Sequence, residues 1–286
     1  MAGLLFCALA WSGNTLVARG VVGMMPPVSL AFWRWVLVLV LLLPFAASGL
    51  WRHRQALWQC RWQLLVLSAL GITAFNTLLY LAARNTTAIN ISLINTGLPV
   101  AVFIAMVVFL RRWPGRRMMY GAALSFLGLI VILTGGSVQQ LLTVGFNRGD
   151  LLVLLAVMSW GGYSVLLQKW PLPGPGYVQL AALVVCGVPL LLPVYLWEVA
   201  SSGWVEIGWE VVGAVSYTAV ASSLMAHLAW THGIKVVGPA TASMFTYLIP
   251  VFTAVFGILM LGEELYWYHL LGGGLALSGI MLAAGK

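Results

Sequence analysis

Apolar runs long enough to cross a bilayer follow one another along this chain with almost nothing between them. A helix needs roughly 20 apolar residues to span the hydrocarbon core. Breaks at Gly, Pro and clustered charge divide the sequence into ten such segments: 2–22, 28–48, 62–83, 88–110, 117–137, 149–169, 175–197, 210–232, 238–260 and 264–284. No polar stretch between them could hold a soluble domain. Only 7% of the residues are charged and the mean hydropathy is +1.01, whereas a soluble domain carries about 25% charged residues. The short alternating segments of a membrane β-barrel are missing. An all-α polytopic membrane protein is expected, with the lipid bilayer as its surroundings.

The formal net charge of +8 comes mostly from short connections, where Lys and Arg set membrane orientation. No nucleic-acid partner is implied. Cys7, Cys60 and Cys186 stand at unrelated spacings in or beside apolar runs, forming neither a disulfide framework nor a metal pattern. No metal or cofactor is expected. The opening MAGLLFCALAWSG lacks a charged n-region and reads as the first span rather than a cleaved signal.

Overlaying the halves reveals a repeat. At an offset of 151, Ser92 meets Ser243, Pro99 meets Pro250, Gly121 meets Gly272 and Gly128 meets Gly279; at 149, Trp11 meets Trp160 and Gly13 meets Gly162. The expectation is two five-helix units, residues 1–140 and 148–286. Five is odd, so the second unit enters the membrane inverted. Charge agrees. Arg52, Arg54 and Arg61 follow the second segment, and Arg111, Arg112, Arg116 and Arg117 follow the fourth. The equivalent loops of the second half carry Glu198, Glu206, Glu210, Glu263 and Glu264 with no Lys or Arg. Basic loops stay cytoplasmic, which puts both termini inside. Inverted repeats around a shared site are a recurring construction of secondary transporters.

Polar residues fall at helical spacing within the apolar runs. Ser92, Asn95, Thr96 and Pro99 lie at i, i+3, i+4 and i+7, one narrow face. Asn90 points elsewhere and reads as capping or packing. The matched face of the ninth segment carries Ser243, Thr246, Tyr247 and Pro250; the third carries Thr73, Asn76, Thr77, Tyr80 and Arg84; the eighth carries Ser223, His227, Trp230, Thr231 and Lys235. Trp11 with Asn14, and Trp160 with Tyr163 and Ser164, add the first and sixth segments. Singly, such groups commonly hydrogen-bond between helices. Four symmetry-related faces of this kind point instead to a shared polar cavity. The candidate substrate-binding set is therefore Trp11, Asn14, Asn76, Tyr80, Ser92, Asn95, Trp160, Tyr163, His227, Ser243, Thr246 and Tyr247, with Pro99 and Pro250 as bending points. Small residues at Gly121, Ser125, Gly128, Gly272, Ala276 and Gly279 read as close helix packing.

Two ionisable groups are embedded. Arg34, in FWRWV, reads as snorkelling or clamping a neighbouring helix; for His227, a structural hydrogen bond and a substrate contact stand equally open. No Asp or Glu falls mid-span, and Asp150 reads as an N-cap of the sixth helix. Facilitated diffusion is therefore more economical than proton exchange. H-E-x-x-H, P-loop and G-x-S-x-G patterns are absent, so no enzyme is expected.

The stretches ALAWSGNTLVARG, PPVSLAFWRWVLVLVLLLP, NTTAINISLINTGLPVAVFIAMVVFL and GPATASMFTYLIPVFTAVFGILMLGEELYWYHLLGGGLALSGI, in this order, resemble the EamA-type drug/metabolite transporter superfamily over essentially the whole chain. Within it the chain is similar to the bacterial aromatic amino-acid exporters. The resemblance implies ten transmembrane helices as two inverted repeats around a central cavity, alternating access, and an inner-membrane location. It implies export of aromatic and other neutral amino acids, with cationic drugs as further cargo; a monomer is expected, a dimer being the alternative. Its motif residues here are Trp11, Asn14, Arg34, Asn95, Pro99, Trp160, Tyr163, Ser243, Tyr247 and Pro250. The family's Gly-Glu turn falls on Gly262 and Glu263; Arg111 and Arg112 replace it in the first half, which makes Glu263 topological rather than substrate-binding. A proton-coupled metabolite or drug antiporter and a nucleotide-sugar-type carrier are the alternatives, the latter expected to show more embedded Lys or Arg.

Overall fold

The computed structural model describes residues 1–20, 24–83, 85–86, 88–137, 139, 147–203, 208–261 and 266–284. Arg84, Glu206, Gly262, Glu263, Glu264 and the side chain of Tyr80 lie outside the described residues. Those described are mostly helical, without a strand among them. We label α1 Ala2–Gly20, α2 Pro27–Gln59, α3 61–83, α4 88–110, α5 Arg116–Leu133, α6 Arg148–Lys169, α7 Gly176–Ser202, α8 209–237, α9 239–261 and α10 Trp267–Ala284. Among the described residues, seven helical stretches are long and apolar enough to cross a membrane, Trp209–Phe256 counting as one, and Ala2–Asn14 and Trp267–Ala283 are shorter apolar helices. The protein is a polytopic helical membrane protein.

Several ends differ from the sequence-based expectation. α2 continues past residue 48 to Gln59, so Arg52 and Arg54 ride on helix rather than in a loop. Nothing in GLWRHRQALWQ breaks a helix, and the Arg54 guanidinium lies 4.4 Å from the Trp51 ring centroid. α5 stops at Leu133 because Gly135 and Gly136 take positive φ, and the Gly136 amide donates back to the Val131 carbonyl. α7 runs on to Ser202 and ends at Gly203, again at positive φ. Glu198 therefore belongs to α7 and is buried, not in a loop as its charge suggested.

Some departures from α-geometry occur in matched places, although the π-turn at Met106–Leu110 has no counterpart in Leu248–Leu261. α3 carries a π-helical turn at Ala69–Ala74, and α8 carries one at Thr218–Met225. α4 breaks at Thr96–Gly97, just before Pro99; α9 tightens to a 3-10 turn at Phe245–Tyr247, just before Pro250. Both prolines thus sit immediately beyond an irregular turn, where their missing N–H costs least. Gly238, at φ 82° and ψ 160°, separates α8 from α9 in a conformation that a side chain would strain.

α5 and α10 form an antiparallel seam. A Cβ on Gly121 would strike the Gly279 carbonyl oxygen, and one on Gly128 the Gly272 carbonyl; the converse contacts hold from Gly279 and Gly272. Midway, Ser125 Oγ donates to the Ala276 carbonyl at 2.9 Å. Elsewhere α1 packs on α8 and α9, α6 packs on α3 and α4, and α2 packs on α7.

Candidate functional site at the centre of the bundle

α1 and α6 each lie against the π-helical turn of a neighbour. Trp11 Nε1 donates to the Ser222 carbonyl at 3.0 Å, and Ser222 Oγ donates to the Ala10 carbonyl at 2.9 Å. On the other side, Ser159 Oγ donates to the Leu70 carbonyl at 2.8 Å, and the Tyr163 ring lies over Gly71. A π-turn widens the helix and leaves carbonyls for such partners, a device common at functional sites.

These contacts bring rings from several helices together. Trp160 is central: its ring centroid lies 5.6 Å from Trp11, 5.2 Å from Tyr163, 4.9 Å from Phe75, 5.3 Å from His227 and 6.0 Å from Trp230. Trp11 also lies 5.3 Å from Trp230, whose Nε1 donates to Ser164 Oγ at 3.3 Å. Spacings of this kind are ordinary for favourable edge and tilted aromatic pairs. Trp11 and Trp160, partners under the repeat offset, touch edge to face.

Charge sits beside the rings. Arg34 is 6% exposed and donates from Nη2 to Asn76 Oδ1, while Asn76 Nδ2 donates to the Ile72 carbonyl at 2.6 Å. Arg34 does clamp a neighbouring helix, as its position suggested. The His227 ring lies against the backbone of Ser222 and Ser223, and Arg34 Nε, Trp35 Nε1, Asn14 Oδ1, Thr77 Oγ1, Ser223 Oγ and the Tyr247 hydroxyl are buried without a partner. Trp35 was not singled out from sequence, although it sits in the same FWRWV run as Arg34.

The remaining candidates divide by environment. Asn14, Ser92, Asn95 and Thr246 are partly exposed, whereas Ser243, Tyr247 and Tyr163 are buried. Ser243 Oγ donates to the Ala240 carbonyl at 2.7 Å and Thr246 Oγ1 to the Ser243 carbonyl at 2.6 Å, so both hydroxyls are satisfied within α9. Thr96 likewise bonds back, to the Leu93 carbonyl. Thr73 donates to the Gly187 carbonyl of α7, and Lys235 donates to Gln179 Oε1. A cavity of about 220 Å³ opens where the α8–α9 break meets the end of α4, lined by Met106, Leu110, Arg112, Gln168, Gly238 and Thr241 among others. None of the candidate residues lines it.

The burial of two carboxylates escaped the sequence reading. Glu198, fully buried, accepts from the Val28 and Ser29 amides at 3.2 and 2.6 Å and from Ser29 Oγ at 2.9 Å. It satisfies the amides that open α2, which has no cap of its own. Asp150 is the third residue of a capping box whose N-cap is Asn147, not the N-cap itself. It is 1% exposed and accepts from Thr86 Oγ1, from Asn90 Nδ2 at 2.9 Å and from the Asn147 amide at 2.8 Å. Asn90 thus packs α4 against α6, consistent with its place off the polar face.

The bundle is helical, with a core of rings, irregular turns and buried polar atoms without partners; its relatives give its class, membrane transporter. The EamA-like transporter family matches residues 1–134 and 147–285, and the chain belongs to that family. It is 26% identical to an uncharacterized transporter, YyaM, of Bacillus subtilis, over 94% of this chain and 88% of that protein. An uncharacterized transporter of Archaeoglobus fulgidus is 28% identical over 97% and 94%. Protein PecM of Dickeya dadantii is 26% identical over 74% and 69%. A solved crystal structure shares the fold with a TM-score of 0.79 at 19% identity, covering 98% of this chain and 94% of that one.

Proposed function

We propose that the protein exports aromatic and other neutral amino acids across the bacterial inner membrane by alternating access. In this reading all ten helices cross the membrane, as two inverted five-helix repeats, residues 1–140 and 148–286, with both termini cytoplasmic. The reciprocal contacts support it. Gly121 meets Gly279 and Gly128 meets Gly272, while 121 and 272, 128 and 279, and 125 and 276 are related by the same 151-residue offset. Crossed pairing of this kind is what a two-fold relation between equivalent surfaces produces. The two separate stretches matched by the family agree with it, as does the cluster of Arg111, Arg112, Arg116 and Arg117 at a single connection.

One observation carries the substrate: the ring cluster of Trp11, Phe75, Trp160, Tyr163 and Trp230 adjoins buried donors and acceptors without partners. Rings suit an aromatic or apolar body, and the free polar atoms suit an amino acid's charged end. Transport is facilitated rather than proton-coupled, since the buried carboxylates of Asp150 and Glu198 are engaged in holding helix ends. Purified protein in vesicles is expected to move labelled tryptophan or phenylalanine saturably, without ATP and unaltered by an imposed pH gradient. Lack of saturable flux for every amino acid overturns the assignment.

A further inference from the structure

Arg34 is a cation more than nine-tenths buried, on a helix apolar enough to cross a membrane, and among the described residues no carboxylate pairs with it. Its neighbourhood is rich in the same kind of vacancy. Arg34 Nε and Trp35 Nε1 are buried and make no hydrogen bond, while the His227 ring lies against the backbone of Ser222 and Ser223. Trp35 is fully buried and His227 is 6% exposed. These groups are contiguous: the Arg34 guanidinium carbon lies 5.7 Å from the Trp35 ring centroid, and that ring lies 4.9 Å from the His227 ring. Burying one unanswered donor is costly, and burying an unpaired charge far more so. A site that keeps two N–H donors, an imidazole and a positive charge together needs an anion with several acceptor lone pairs.

We propose that Arg34, Trp35 and His227 form a carboxylate-binding subsite beside the ring cluster, so that the protein selects cargo bearing a carboxylate next to an aromatic or apolar body. The proposal deepens the amino-acid reading and rests on it. His227 joins the two parts, with its ring 5.3 Å from Trp160 and 4.9 Å from Trp35. A carboxylate held at Arg34 would leave the rest of a small amino acid within reach of the rings. Its ammonium group has two options there, the tryptophan faces and whichever His227 nitrogen is unprotonated. Asn76 is a positioning residue: its Oδ1 holds one end of the guanidinium while its amide is tied to the Ile72 carbonyl at the π-turn of α3. Arg rather than Lys suits this role, because the planar fork can answer Asn76 and still present Nε–H to a second acceptor.

Equilibrium binding of indole-3-propionate and of its uncharged amide, measured on the purified full chain in nanodiscs, tests this directly. Wild type is expected to bind the acid roughly 10-fold more tightly than the amide, the scale of a charge-assisted pair. Arg34→Gln should erase the preference. Trp35→Phe keeps the ring and removes only the N–H, so it should shrink the preference roughly threefold, the scale of one neutral hydrogen bond, even if Arg34→Gln fails to fold. Equal binding of acid and amide by wild type, or an undiminished preference in Trp35→Phe, overturns the subsite. Amino-acid flux in vesicles is scored separately. If no amino acid moves but the acid still binds over the amide, the export reading falls and the subsite stands. If tryptophan moves while acid and amide bind alike, the subsite alone falls.

Discussion

Glu198 and Arg34 are both charged and both buried, yet the protein answers them in opposite ways. Around Glu198 two backbone amides and a hydroxyl converge on the carboxylate. Asp150 is treated alike, by Thr86, Asn90 and the Asn147 amide. Arg34 has Asn76 and keeps a free Nε, among other atoms that also lack partners. The first two groups lie where helices begin, and there the chain supplies every partner, because an orphaned amide in an apolar setting is costly. Arg34 and Trp35, by contrast, lie beside His227 and through it the rings. Buried polar groups are normally satisfied, so a concentration of exceptions needs a cause. These helix ends are held by polar bonds, whereas Arg34 and Trp35 keep donors open.

Substitutions can break this contrast. The largest effect should come from Glu198→Ala, which leaves the Val28 and Ser29 amides unanswered; a loss of about 3–5 kcal/mol is expected, read as a fall in apparent Tm in detergent. If Glu198→Ala melts like wild type, the helix-end carboxylates are not structural. Asp150→Asn keeps an acceptor but removes the charge that strengthens the bonds from Thr86, Asn90 and Asn147, and should cost about 2 kcal/mol in the same melt. Its amino-acid transport should respond to external pH as wild type does, since no proton is routed through it. Tyr247→Phe removes a hydroxyl that has no partner and should change stability by less than about 0.5 kcal/mol. A large destabilisation by Tyr247→Phe would place that hydroxyl with the satisfied groups and sharpen where the boundary runs.

Much of the architecture was legible beforehand, for one reason. Hydrocarbon leaves a backbone no option but helix, so apolar runs bounded by Gly, Pro and charge predict elements well. Errors fell where that logic weakens. GLWRHRQALWQ is too polar to be recognised as span, yet contains nothing that stops a helix, and α2 continued through it. Glu198 and Asp150 looked like loop charges because their partners lie 169 and 60 residues away, on Ser29 and Asn90. The polar stripe of α4 was drawn as continuous, but the break at Thr96–Gly97 interrupts it and Thr96 turns its hydroxyl to its own helix.

Sequence alone determined the all-helical class, the places of most helices and the small residues of the α5 and α10 seam, since all of these follow from local composition and spacing. Tertiary structure decided which polar groups are answered. Ser243 and Arg34 look equally available in a string of letters. Only the packed helices show that Ser243 bonds to Ala240 in its own turn, whereas Arg34 stands beside Trp35 and His227 with donors to spare. The physical reason is that hydrogen-bond satisfaction depends on what other segments bring within about 3 Å, and no periodicity along one segment encodes that.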